Sequence, residues 1–302
     1  MTAVLSIALF SGAPAAEPHV TTPRDQLIAT TEWLGKHLND PDLVLLHLGD
    51  PQEYPAEHIP GARFVSLRDI STAPGAGGLA LEMLPPAELR SRLEKLGISD
   101  ESRIVVYYAK DWVSPATRVI LTLDWIGLGD RTALLDGGMQ RWKEEGRPVT
   151  SAATAAKPGR LTERPVRAGL IVDHAFVQGH IRAPGVTIVD ARAPMFYDGP
   201  PHGEHRAGHI PSAVNLPFNS VFGDDLRLLS ADSLATLFRN AGVKPKDTLV
   251  VYCHIGQQAT AVVFAARSLG ITARLYDGSF DDWSGRKELP VEGGRTGGGS
   301  GR

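Results

Sequence analysis

Short apolar runs alternate with amphipathic stretches along most of this chain, the pattern of buried strands joined by helices. In the first half, Leu43–Leu48, Arg103–Tyr108 and residues 132–136 have strand length and few charges. Between them, residues 31–38, 86–96 and 114–126 carry apolar side chains at helical spacing. Thr30 or Thr31 is placed to cap the first helix and Gly97 to close the second. Ser114 is placed to cap the third, with Pro115 in its first turn.

The second half repeats this order. Val186–Asp190 matches Leu43–His47, and Gly208-His-Ile-Pro-Ser-Ala213 matches Glu57-His-Ile-Pro-Gly-Ala62. Residues 234–242 match 89–97, and Leu249-Val-Val-Tyr-Cys253 matches Ile104-Val-Val-Tyr-Tyr108. The stretch from Arg274 to Trp283 matches that from Ala133 to Trp142. An ordered match of this extent is a duplicated domain, and strands alternating with helices in each copy call for an α/β fold with a parallel sheet. A chain of 302 residues is long enough for two such cores. The predicted division is an N-terminal domain over 17–150, a linker over 151–165, a C-terminal domain over 166–292 and a Gly-rich, disordered tail over 293–302.

The only cysteine, Cys253, stands where the apolar run 249–252 ends, and a loop with one glycine then leads to a helix predicted over 259–269. Strand, tight loop and helix N-terminus together aim backbone N–H groups and the positive end of a helix dipole at one point. A thiol held there is favoured as its thiolate, the form that acts as nucleophile. Lone cysteines are often small buried hydrophobes. The strand's carboxyl end, where open α/β sheets carry their chemistry, favours the reactive alternative.

Composition narrows the field. A net charge of -3 and an ordinary charged fraction exclude a basic nucleic-acid surface or a polybasic membrane patch. A single cysteine forms no internal disulfide and no thiolate metal site by itself. His202, His205 and His209 are the one local histidine group, and the nearby Gly203, Gly208 and Pro211 argue against the fixed scaffold a metal needs, so no metal site is expected. Residues 1–16 combine a short apolar run with Ala13-Pro14-Ala15, the outline of a cleaved export signal, although no lysine or arginine precedes the run. The expectation is a periplasmic or secreted protein, with a cytoplasmic one as the alternative.

Four motifs carry a resemblance: Asp190-Ala-Arg192, the run from Arg206 to Asn215, Tyr252-Cys253 with its loop through Ala259, and the run from Tyr276 to Trp283. In this order, and echoed in the first half, they resemble the tandem two-domain rhodanese family of sulfurtransferases. The resemblance runs from about Thr31 to Val291. It implies two domains, each a five-stranded parallel sheet flanked by helices, with catalysis in the second copy and no cofactor. It further implies that Cys253 takes the outer sulfur of a donor such as thiosulfate as a persulfide, which a thiol, cyanide or a thioredoxin-like protein then removes. His254, Ile255, Gly256, Gln257, Gln258 and Ala259 would cradle that sulfur through their backbone N–H groups. Arg192 would either contact the anion or form a buried ion pair with Asp190. Arg206 and His209 would serve the fold, Phe280 and Trp283 either the pocket mouth or the core, and Arg227 would be a solvated loop charge.

This chain departs from the family in its loop. Thiosulfate-using members carry basic residues after the cysteine, and Phe196 occupies a position where they tend to place an arginine. The mercaptopyruvate-using branch has a Cys-Gly-Ser/Ala-Gly loop that is absent here, which leaves the donor open. A cysteine phosphatase needs an arginine six positions after the cysteine, where Ala259 stands. In the first copy Tyr108 replaces the cysteine and His47 replaces Asp190, in a loop expected to be two residues longer. That copy should not catalyse. A monomeric enzyme is expected, with a persulfide carrier or redox-sensing module as the alternative.

Overall fold

In a computed structural model of the protein, the described residues are 22–73, 79–110, 113–203 and 205–294. The export signal expected over residues 1–16 and most of the expected tail therefore lie outside them. Among these residues ten strands form two five-stranded sheets, parallel throughout. The first sheet contains β1 (Ile28–Ala29), β2 (Leu43–Leu48), β3 (Ala62–Phe64), β4 (Arg103–Tyr108) and β5 (Thr132–Leu135), in the order β1-β5-β4-β2-β3. The second contains β6 (Ile171–Val172), β7 (Val186–Asp190), β8 (Val214–Asn215), β9 (Thr248–Tyr252) and β10 (Ala273–Tyr276), in the order β6-β10-β9-β7-β8. The two orders are the same, as a duplicated domain requires.

The central strands are almost continuously apolar because helices cover both faces of each sheet. Ile104 to Tyr108 and Leu249 to Tyr252 are all buried. One large apolar cluster runs through both domains, joining Val106, Val119 and Ile120 to Val251, Val262 and Phe264. Each outer sheet face has its own smaller cluster, around Tyr107 and Trp142 in one domain and Tyr252 and Trp283 in the other. The inner faces are thus fused into one core, and two helices meet there. Thr117 on Ser114–Trp125 and Thr260 on Ala259–Ser268 share a hydroxyl–hydroxyl bond of 2.7 Å.

Most predicted elements are present close to their expected limits. Thr30 caps Thr31–His37 by accepting from the Trp33 N–H. Ser114 differs from expectation. It is already the first helical residue, the cap is Val113, and the Ser114 hydroxyl instead accepts from Gln257 Nε2 of the other domain at 3.2 Å. The first-copy loop is also not longer than the second. Helix begins six positions after Tyr108 and six after Cys253. Residues 151–165 hold neither helix nor strand, and Gly159, Leu161 and Thr162 bind back to Glu94 and Asp100 of the first domain. No helix among the described residues is long and apolar enough to cross a membrane.

Candidate active site

Cys253 follows β9 directly and is fully buried. β9 lies between β10 and β7, so the residues leaving it emerge in the middle of the sheet, flanked by the ends of both neighbours. From the segment after β10, the Ser279 hydroxyl accepts the Cys253 N–H at 3.1 Å and donates to the Tyr276 carbonyl at 2.9 Å. From the same segment, the N–H groups of Phe280 and Asp281 donate to the carbonyls of Cys253 and His254, both at 3.0 Å.

The carbonyls further round the loop are also taken. Gly256 accepts from Arg118, Gln257 from the N–H and hydroxyl of Thr260, and Gln258 from the Ala261 N–H. By contrast, the backbone N–H groups of residues 254–259 donate to no acceptor among the described residues. Six consecutive unmatched donors following a thiol and running into the first turn of Ala259–Ser268 are an arrangement suited to an anion or an anionic sulfur. Gly256 makes the curl possible. Its φ is +77°, and a Cβ there would lie 2.5 Å from the Asp277 carbonyl oxygen and 2.9 Å from its Oδ1. Any other residue would meet both left-handed strain and a backbone clash.

The side chains around this loop are largely neutral. His254 packs edge-on against Phe196 with centroids 4.7 Å apart, and His205 lies 6.1 Å away. Burial, reinforced by the Arg192 charge, pushes the His254 imidazole down to about 4, so it is uncharged at neutral pH. Gln257 is buried and bonded to Ser114, while Ile255 and Gln258 are half-buried. Arg192 is 2% exposed and held by Asp190 through Nε and Nη2, with a further bond to the Gly208 carbonyl. Its guanidinium lies 3.9 Å over the Phe280 ring. The Tyr252 hydroxyl completes this group by donating to Asp190 at 2.7 Å and accepting the Ile210 N–H at 3.1 Å. The geometry is that of a buried ion pair which fixes the ends of β7 and β9.

Other expected roles resolve in the same way. Phe280 and Trp283 are wholly buried, so both belong to the core. Arg206 ties the carbonyls of Trp283, Arg286 and Leu289 together, and His209 stacks on Tyr197 at 3.7 Å. Arg227 departs from the expected free loop charge. Its Nε reaches Asp136 of the first domain at 2.8 Å, because the fused core brings that loop against the end of β5. Sequence reasoning missed Arg118 and Asp277 altogether. One signal was available: Arg118 is a lone cation among Ala116, Thr117, Val119, Ile120 and Leu121, on a helix apolar nearly all round.

Comparison with known proteins gives the same picture. The model of the rhodanese-like domain matches residues 30–145 and 173–286. The chain is 35% identical over 280 residues to a probable 3-mercaptopyruvate sulfurtransferase of Pseudomonas aeruginosa, covering 87% of this chain and 97% of that protein. It is 31% identical to a thiosulfate sulfurtransferase of Azotobacter vinelandii, covering 92% and 98%. The crystal structure of SseA, a 3-mercaptopyruvate sulfotransferase of Escherichia coli, superposes with a TM-score of 0.76 at 24% identity, over 84% of this chain and 98% of that one. Two matched halves, relatives aligned along almost their whole length and a shared fold leave one assignment: the chain belongs to the rhodanese family of sulfurtransferases, in its tandem-domain form.

Proposed function

We propose that the protein moves a sulfane sulfur from thiosulfate to a thiophilic acceptor through a persulfide on Cys253. The observation that carries this reading is the row of six unmatched backbone N–H groups at 254–259 around a single buried thiol. In the first step the Cys253 thiolate attacks the outer sulfur of thiosulfate. A bond forms between Sγ and that sulfur, and the old S–S bond breaks with its electron pair leaving on sulfite. In the second, cyanide or a thiolate takes the outer sulfur and returns the Cys253 thiolate. Negative charge is present throughout, and fixed N–H dipoles in a dry cup stabilise it without reorganising.

The neutral rim bears on the donor. Phe196 and an uncharged His254 offer no cation to grip a carboxylate, and Arg192 is tied to Asp190. A carboxylate-bearing donor such as 3-mercaptopyruvate lacks the charge-assisted partner it would use best. Thiosulfate is also an anion, and without the basic residues that thiosulfate-using members carry its charge would rest on the backbone N–H groups of 254–259, which ask for no carboxylate. A persulfide handed on by another protein suits the same rim, and this is the second reading. Steady-state assays that follow thiocyanate from thiosulfate and cyanide, beside thiol-dependent turnover of 3-mercaptopyruvate, test the choice. Thiosulfate is expected to give the higher kcat/KM. A clear preference for 3-mercaptopyruvate would overturn the donor assignment. Cys253→Ser is expected to lose transfer by roughly three orders of magnitude or more with every donor. Export is part of the same proposal, and N-terminal sequencing of the protein from its native cell tests it.

A further inference from the structure

The carbonyl of Gly256 is held from the other domain. Arg118 is 1% exposed, and its Nη1 donates both to that carbonyl, at 3.1 Å, and to Asp277 Oδ1. Its Nη2 donates to the carbonyl of Leu81, and Asp277 Oδ2 accepts the Met83 N–H at 2.9 Å. One guanidinium thus joins the helix Ser114–Trp125, the segment 81–83, the end of β10 and the middle of the Cys253 loop. A peptide unit is planar and trans, so fixing where the Gly256 carbonyl points also fixes the Gln257 N–H, which must point the opposite way. That N–H is one of the six unmatched donors beside the thiol.

The first copy has a related contact without this consequence. Asp136 at the end of β5 corresponds to Asp277 at the end of β10, and it too receives an arginine from the opposite domain. That arginine, Arg227, is 47% exposed in its side chain and bonds outside its own loop only to Asp136. Both contacts bridge the domains, and only the Arg118 contact touches the nucleophile's loop.

We propose that Arg118, supplied by the domain without a nucleophile, is a positioning residue for sulfur transfer: it orients the 256–257 peptide so that the donor cup faces Cys253. This rests on the sulfur-transfer reading of Cys253, and it makes the N-terminal domain a working part of the site. Full-length wild type, Arg118→Met, Asp277→Asn and Arg227→Gln are compared in two assays. One is single-turnover persulfide formation with thiosulfate, and the other is alkylation of Cys253 by iodoacetamide at neutral pH. Arg118→Met and Asp277→Asn are expected to slow both reactions roughly tenfold to hundredfold, in kcat rather than KM for turnover. Arg227→Gln, which breaks only the related contact, should stay within about twofold of wild type, since sites without shared partners act independently. Arg118→Met combined with Asp277→Asn should cost little more than either alone.

Wild-type rates in folded Arg118→Met would overturn the proposal. Should that variant not fold, wild-type rates in Asp277→Asn, which keeps the side chain's shape, would do the same. An equal loss in Arg227→Gln would also overturn it, because the effect would then come from the domain contact in general. A wild-type protein that takes no sulfur from thiosulfate would instead defeat that donor reading, while the alkylation rates would still decide the role of Arg118.

Discussion

The two copies of this domain share a sheet order and differ at the residues that end their central strands. Tyr107 and Tyr252 occupy the same place, and each accepts an N–H from the loop after the neighbouring strand, that of Ile59 after β2 and of Ile210 after β7. Beside them the chemistry parts. In the second copy Tyr252 donates to a buried Asp190–Arg192 pair. In the first, Tyr107 faces His47, whose Nδ1 lies 2.8 Å from the Tyr107 hydroxyl and whose Nε2 has no partner among the described residues. One residue on, Cys253 leads into a loop whose six N–H groups find no acceptor among the described residues, whereas the Tyr108 hydroxyl crosses the domain boundary to donate to the Leu226 carbonyl. Burial and the nearby Asp136 hold that phenol well above its ordinary range, so it is neutral and serves as a strut. The fold tolerates either ending, so what sets the second copy apart is the thiol and the loop that follows it.

Exchanging the endings tests this most severely. Asp190→His would give the second copy the first copy's residue and leave Arg192 buried without its partner. A loss of about 3 to 5 kcal/mol is expected in denaturant unfolding. Gly256→Ala asks whether the curl of the loop is required. Its Cβ would strike Asp277 at positive φ, so about 1 to 3 kcal/mol of strain and a roughly hundredfold fall in transfer rate are expected from melting and single-turnover assays.

A smaller effect should appear on titration. His47 and His254, one in each copy, are both pushed down to about 4, each chiefly by burial. Between about 6.5 and 4 the unfolded chain therefore binds protons that the folded chain refuses, and stability falls as pH falls through that window. Melting temperature measured across this range should decline toward acid. His47→Gln and His254→Gln should each remove part of the slope. The smallest effect is the most informative about the loop. Tyr108→Cys in a Cys253→Ser background should take up no sulfur, since the first copy lacks the glycine-centred cup, and intact-mass measurement after thiosulfate treatment checks it.

Much of this organisation is legible in the residues. The repeat, the long strands and the place of Cys253 follow from apolar runs that end in chemistry-bearing positions, which are local properties. The outer strands β1, β3, β6 and β8 are two or three residues long, too short to show any period, and they exist because a neighbour offers a free edge. The loop's glycine marks the curl, yet nothing local marks what holds it. Arg118 lies 138 positions from Gly256 and Arg227 lies 91 from Asp136, so both contacts arise only when the inner sheet faces fuse. The resemblance to a family likewise points to Cys253, and the side chains of the neutral rim gain meaning only once Phe196 is seen packed on His254.

Sulfur transfer through Cys253 requires a covalent sulfur on that residue, and intact-protein mass spectrometry before and after thiosulfate tests for it directly. The prediction is a gain of one sulfur atom in the wild type, removed by cyanide and absent from Cys253→Ser. An unchanged wild-type mass with both thiosulfate and 3-mercaptopyruvate, or an equal gain in Cys253→Ser, would contradict it.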